Sequence, residues 1–128
     1  MGVDLRNSTG GAFRFSTIGW AFYLNLAAIL YGWKKAGTRA PAQWNDSEGP
    51  WPGAYDWNAG QIVSADDAAS FAAALERYLG DDLRNEKAVA LAKDLSRYIG
   101  TEIQVTPNDA DYIRSFVQFA RGGEFEIW

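Results

Sequence analysis

The sequence predicts an α+β fold, with about four helices packed on a small, mainly antiparallel sheet formed by an N-terminal hairpin and a C-terminal strand. Three observations carry this expectation. Apolar and charged residues alternate with period two near both ends, around Val3, Leu5, Phe13 and Phe15 and again at Phe125 and Ile127. Three segments after residue 64 place apolar side chains at helical spacing, and the run 16–33 is apolar and aromatic almost throughout. With 128 residues, 48% hydrophobic and 15% aromatic, the chain has the size and content of one domain, residues 1–128, with a substantial core.

In order, Val3 and Leu5 alternate with Asp4 and Arg6, and Phe13 and Phe15 flank Arg14 beyond a turn containing Gly10 and Gly11. This is a hairpin pattern with a buried apolar face and a charge-complementary outer face. The paired glycines lack the lysine and following Ser or Thr of a phosphate-cradling loop, so they serve turn geometry. Ser16 or Thr17 then caps a core helix. Leu24, Ala27, Ala28 and Tyr31 line one of its faces and Trp20, Tyr23 and Leu30 a neighbouring one, so two sets of neighbours are expected. Gly32 and Gly37 end it, with Lys34 and Lys35 placed to solvate its C-terminal carbonyls.

From residue 38 to 61 the composition turns to proline, glycine and asparagine yet holds Trp44, Trp51, Tyr55 and Trp57. A free linker has no use for four large rings, and burying one contributes roughly 2–3 kcal/mol, so the loop is expected to be pinned to the domain. Asp46, Glu48 and Asp56 are interleaved with the rings, a pairing of aromatic platforms and carboxylates that suits a sugar or a cation. The expectation is that at least two rings are mostly buried and at least one stays partly open beside Asp46 or Asp56.

Residues 61–63 read as a short strand, and Ser64 with Asp67 three residues on resembles a capping box with a shortened acid. The helix that follows carries the stripe Ala68, Phe71, Ala72, Leu75 and Leu79, and the next, over 85–99, the stripe Ala88, Leu91, Ala92, Leu95 and Ile99. Ile103 and Val105 alternate with Glu102 and Gln104 as in a brief strand. Thr106 and Pro107 open the last helix, where Asp109 suits the positive helix end, and Ala110, Ile113, Val117 and Ala120 face inward.

Charge and missing residue types narrow the function. Twelve basic against 16 acidic side chains give a net charge of −4, which speaks against nucleic acid or anionic membrane surfaces as partners. Five basic residues and one acidic lie in residues 1–45, leaving 7 against 15 in the remainder, which reads first as ordinary surface charge that folding intermixes and second as an acidic face for a basic partner. The absence of cysteine fits a reducing compartment. Together with the absence of histidine it removes thiol and imidazole nucleophile systems and the usual zinc ligands. No catalytic residue, metal ligand or cofactor is assigned, and an enzyme is the less favoured class. The N-terminal residues lack the pattern of a signal peptide, and the 16–33 run, interrupted by Asn25, is short for a membrane span. A cytoplasmic location without membrane insertion is expected.

The segments GGAFRFS, YGWKKAGT, NAGQIVSADDA and FVQFARGGEFEIW together resemble a group of small bacterial proteins with no established activity. The resemblance covers most of the chain and is weakest over residues 40–53 and 81–101; the final strand is one residue longer here through Glu124. It implies a bacterial origin and carries over no site residue. Two functions stand beside each other. One is a small acidic protein-interaction module, inhibitor or immunity-like. The other is a small-molecule or carbohydrate site built from Trp44, Asp46, Trp51, Tyr55, Asp56 and Trp57, with hydrolysis if two carboxylates such as Asp46 and Asp56 flank a glycosidic bond. Rings lining a concave cleft would favour the second.

Overall fold

A computed structural model describes residues 2–105 and 109–128. Four helices pack against a four-stranded antiparallel sheet, so the α+β expectation holds. Strands β1 (Gly2–Asn7) and β2 (Ala12–Ser16) form the hairpin, with Val3 opposite Phe15 and Leu5 opposite Phe13. Val3, Leu5 and Phe15 are buried and Phe13 half-buried, while Arg14 pairs with Asp4 at 2.7 Å on the outer face. That exposed pair is worth little by itself, but the alternation it belongs to fixes which face turns inward.

Ser16 caps α1 (Thr17–Tyr31), its hydroxyl accepting from the Gly19 amide at 2.9 Å, and Gly32 closes the helix in the left-handed conformation. Helix α1 packs on α2, α3, β1 and β2. It is therefore apolar on nearly every side: Trp20, Phe22, Leu24, Leu26 and Ala27 are all buried. Leu30, expected on an inner face, sits at the rim beside exposed Ile29. Lys34 and Lys35 lie beyond the last turn, which contains no basic residue, so neither occupies the helix end itself.

Strand β3 (Gln61–Val63) leads into α2 (Ala65–Leu79), followed by α3 (Arg84–Ile99), α4 (Ala110–Arg121) and β4 (Phe125–Ile127). The sheet order is β2-β1-β4-β3. The C-terminal strand lies beside the hairpin as expected and is also the bridge to β3, which the sequence pattern left without a partner. Phe125 and Ile127 share the buried face with Leu5 and Phe15, and Phe116 and Phe119 of α4 pack on Phe125. Residues 101–105 form no strand. The Ile103 amide donates to the Ser96 hydroxyl at 2.9 Å, tying the segment back to α3 rather than to a sheet edge. The capping role expected of Thr106 and Pro107 lies outside the described residues.

The core is ring-dense. Trp33 stacks on Phe71 at 4.2 Å between centroids, and Trp20, Phe71 and Phe116 meet at 5.3–6.2 Å in tilted and edge-on contacts. Asp109, just before α4, is buried within this assembly and accepts from the hydroxyls of Tyr23 at 2.5 Å and Tyr78 at 2.6 Å and from Arg84 at 2.9 Å. Burial first, and then the hydrogen bond to Asp109, push both phenols up, so they remain neutral donors. One carboxylate thus joins α1, α2, α3 and α4.

Candidate functional site

The segment between α1 and β3 has almost no regular structure, only a short 3-10 turn over Asp46–Glu48 and a bridge between Arg39 and Ile62. Its backbone polar groups consequently depend on side chains. Gln61 is fully buried; its amide donates to the carbonyls of Trp57 at 2.5 Å and Ala54 at 3.3 Å and accepts from the Ala59 amide at 3.0 Å. Thr38, also buried, donates to the Ala54 carbonyl at 2.6 Å, and its amide donates to the Gly53 carbonyl at 3.2 Å. At the far end Gly60 has φ +86°, and a β-carbon there would lie 2.6 Å from the Trp128 ring, so any side chain would displace that ring.

The four loop aromatics do not act alike. Tyr55 alone is buried; Trp44 and Trp51 are half-buried, and Trp57 is 43% exposed. Three of the four rings are thus more buried than open, and Trp57, next to Asp56 in the chain, is the open one, as expected. Tyr55 packs edge-on against Trp33 at 5.1 Å, and its hydroxyl donates to Asp67 at 2.5 Å while accepting from the Gly37 amide at 2.7 Å. Asp67 also accepts from the Trp33 ring N–H at 3.0 Å and the Ala36 amide at 3.3 Å. Burial, reinforced by the hydrogen bond to Asp67, pushes the Tyr55 phenol up, so it stays protonated. The Trp20 ring N–H donates to the Tyr55 carbonyl at 2.8 Å, completing the attachment to α1.

Asp67 departs from the expected capping box. Ser64 does cap α2, its hydroxyl accepting from the Asp67 amide at 3.2 Å, but the Asp67 side chain turns to the loop instead of to the Ser64 amide. An aspartate is one methylene shorter than the glutamate of a capping box, and three donors from residues 33–55 outcompete a single amide for it.

Trp44, Trp51 and Trp57 pack on one another: Trp44 and Trp57 each meet Trp51 edge-on, at 4.9 and 5.1 Å, and lie 6.1 Å apart. The Trp51 ring N–H donates to Thr38 and that of Trp44 to the Gly49 carbonyl at 3.2 Å, whereas the Trp57 ring N–H has no partner among the described residues. Five cavities among the described residues have linings that include none of these three rings. They form a surface cluster with Trp57 as its open member. Asp46, Glu48 and Asp56 are exposed, and none of them makes an ion pair among the described residues. Neither the Asp46 nor the Asp56 carboxylate accepts a hydrogen bond among the described residues. No group of three potential metal ligands exists among the described residues.

Of the six expected site residues, Trp44, Trp51 and Trp57 come together, Tyr55 belongs to the core attachment, and Asp46 and Asp56 are unpaired acidic side chains of the same loop. Sequence reading missed Thr38, Gln61 and Asp67. A glutamine opening an otherwise apolar strand was the available signal for Gln61; Thr38 and Asp67 carried none that differs from a surface residue.

The molecule is thus an α+β domain presenting an acidic, tryptophan-bearing loop, and no described helix is long and apolar enough to cross a membrane. Comparison with protein-family models, curated proteins and solved structures gives no match.

Proposed function

We propose that the chain is a protein-interaction module, inhibitor or immunity-like, which contacts a basic partner through Trp44, Trp51 and Trp57 and the carboxylates of Asp46, Glu48 and Asp56. The observation that carries this reading is the half-open triad of tryptophans. Rings fixed by their neighbours lose little conformational freedom on binding, and tryptophans lead the residues whose truncation costs most at interfaces. Unpaired carboxylates in the same loop add attraction to a positive surface and faster encounter. The rings pack on one another instead of lining a cleft, which takes support from the carbohydrate reading. The cysteine-free sequence and its resemblance to small bacterial proteins support a bacterial, cytoplasmic setting.

Photocrosslinking tests the proposal. A benzophenone amino acid at position 57, introduced in the source cell, should join covalently to one basic protein, and the adduct should disappear with Trp51→Ala. The same label at Tyr98, an exposed ring on α3, should not form it. Identical adducts from both positions would sink the reading. Saturable quenching of tryptophan fluorescence by an oligosaccharide would replace it with the carbohydrate one.

A further inference from the structure

A cleft of about 620 Å³ opens between α1 and residues 35–37 and 52–56, using none of the three clustered tryptophans. Lys35 and Asp56 both line it, with Asn25 on the α1 side. These opposite charges do not reach one another, although seven ion pairs form elsewhere among the described residues. Lys35 has φ +52°, the one positive value outside glycine among the described residues. Such a conformation persists only where the surroundings impose it, and here the next two amides, Ala36 and Gly37, are anchored to Asp67 and to the Tyr55 hydroxyl. The backbone bearing Lys35 is fixed from inside the domain.

The Lys35 side chain is exposed and makes no ion pair among the described residues. The Lys35 Nζ stands 5.4 Å from the centroid of the Tyr55 ring, itself held by Trp33 and Asp67. On the α1 side, the Asn25 side-chain amide donates one N–H to the Ala21 carbonyl at 2.8 Å, which leaves its oxygen and its second N–H without a partner among the described residues. Gly37 and Gly53 form the wall between, their backbones close enough that a β-carbon on Gly53 would lie 3.4 Å from the Gly37 Cα.

From this juxtaposition of a lysine on a constrained backbone, an unpaired aspartate and an amide oxygen in one cleft, we propose a binding site for a small zwitterion of the α-amino acid class. The carboxylate of the ligand meets Lys35, and its ammonium meets Asp56 and the Asn25 oxygen. A simple anion would face Asp56 and a simple cation would face Lys35; a neutral sugar would leave both charges unanswered. A molecule bearing both charges satisfies both walls.

Calorimetric titration of the full chain with L-α-amino acids, one at a time, tests the site, with acetate and methylammonium as single-charge controls. At least one amino acid should bind saturably with Kd at or below about 1 mM. Lys35→Gln and Asp56→Asn should each weaken it by about tenfold or more, as expected for a lost charge-assisted hydrogen bond. Lys35→Arg and Asp56→Glu should retain most of the binding, which separates loss of charge from loss of fold, and Trp57→Ala should leave it unchanged. The proposal is overturned if no amino acid binds, if binding survives either charge removal, or if acetate alone binds as tightly.

Discussion

Trp20 and Trp33 are 2% and 3% exposed inside the helical core, whereas Trp57, near the end of the loop, is 43% exposed and its neighbours Trp44 and Trp51 are half-buried. The side chains are identical, so the difference lies in the backbones that carry them. A helix satisfies its own amides and carbonyls and can be pressed into the core with its rings. Trp20 comes from such a helix; Trp33 follows it directly and is drawn in by Phe71 and Asp67. The loop backbone has few internal partners and leans on Thr38, Gln61 and Asp67, so apart from the anchor at Tyr55 its rings lie towards the surface. Burial in this chain follows backbone satisfaction as much as side-chain hydrophobicity, and the rings left outside are the ones free to bind.

The widest gap between the two regions should appear on truncation. Trp20→Ala removes a core ring together with its hydrogen bond to the Tyr55 carbonyl, and is expected to cost about 3–5 kcal/mol in urea melts. A loss below about 1 kcal/mol would mean that the core ring is no more structural than the loop rings.

Asp67 is the seam between the regions. Asp67→Ala strands the donors of Trp33, Ala36 and Tyr55 and is expected to cost about 2–3 kcal/mol. Hydrogen exchange should accelerate at the Ala36 and Gly37 amides while those of α4 keep their protection relative to the new global stability. Uniform acceleration across the chain would show that loop and core open as one unit.

On the loop side, Trp57→Ala should change stability by less than about 1 kcal/mol, because the ring is open and its N–H unpartnered. With the benzophenone label moved to position 47 of the same loop, its adduct with the partner should nonetheless be lost. If Trp57→Ala lowered the melting temperature as far as Trp20→Ala, the loop cluster would be a second core and not a contact surface.

The smallest effect belongs to neither region and serves as a control. Asp81 takes hydrogen bonds from Lys87, the Leu83 amide and the Tyr31 hydroxyl, which lower its pKa from 3.8 to about 2. A carboxylate whose folded pKa is depressed contributes stability that is complete above its ordinary pKa and fades as pH falls through the folded one. Asp81→Asn should therefore flatten the stability profile between about pH 4 and pH 2 and leave the neutral-pH contrast between core and loop intact. An unchanged acid limb would show that Asp81 does not contribute to it.

What the sequence determined by itself was local. The alternation of Val3, Leu5, Phe13 and Phe15 fixed the hairpin face, the Ser16 and Ser64 hydroxyls began two helices, and the stripes of α2 and α4 named most of their buried residues, because each of these follows from spacing and short-range hydrogen bonding. Tertiary structure decided what depends on distant partners. The alternation at Ile103 and Val105 yielded no strand because its backbone met Ser96 instead of a sheet edge. The carboxylate of Asp67 left its own helix for three donors far away in sequence. Four aromatic residues of one loop divided into an anchor, Tyr55, and an open triad because only the folded core offered Tyr55 both a ring to pack on and an acceptor for its hydroxyl. Spacing along a chain encodes which face a side chain takes; whether a polar group or a ring on that face finds its partner is settled only where separate segments meet.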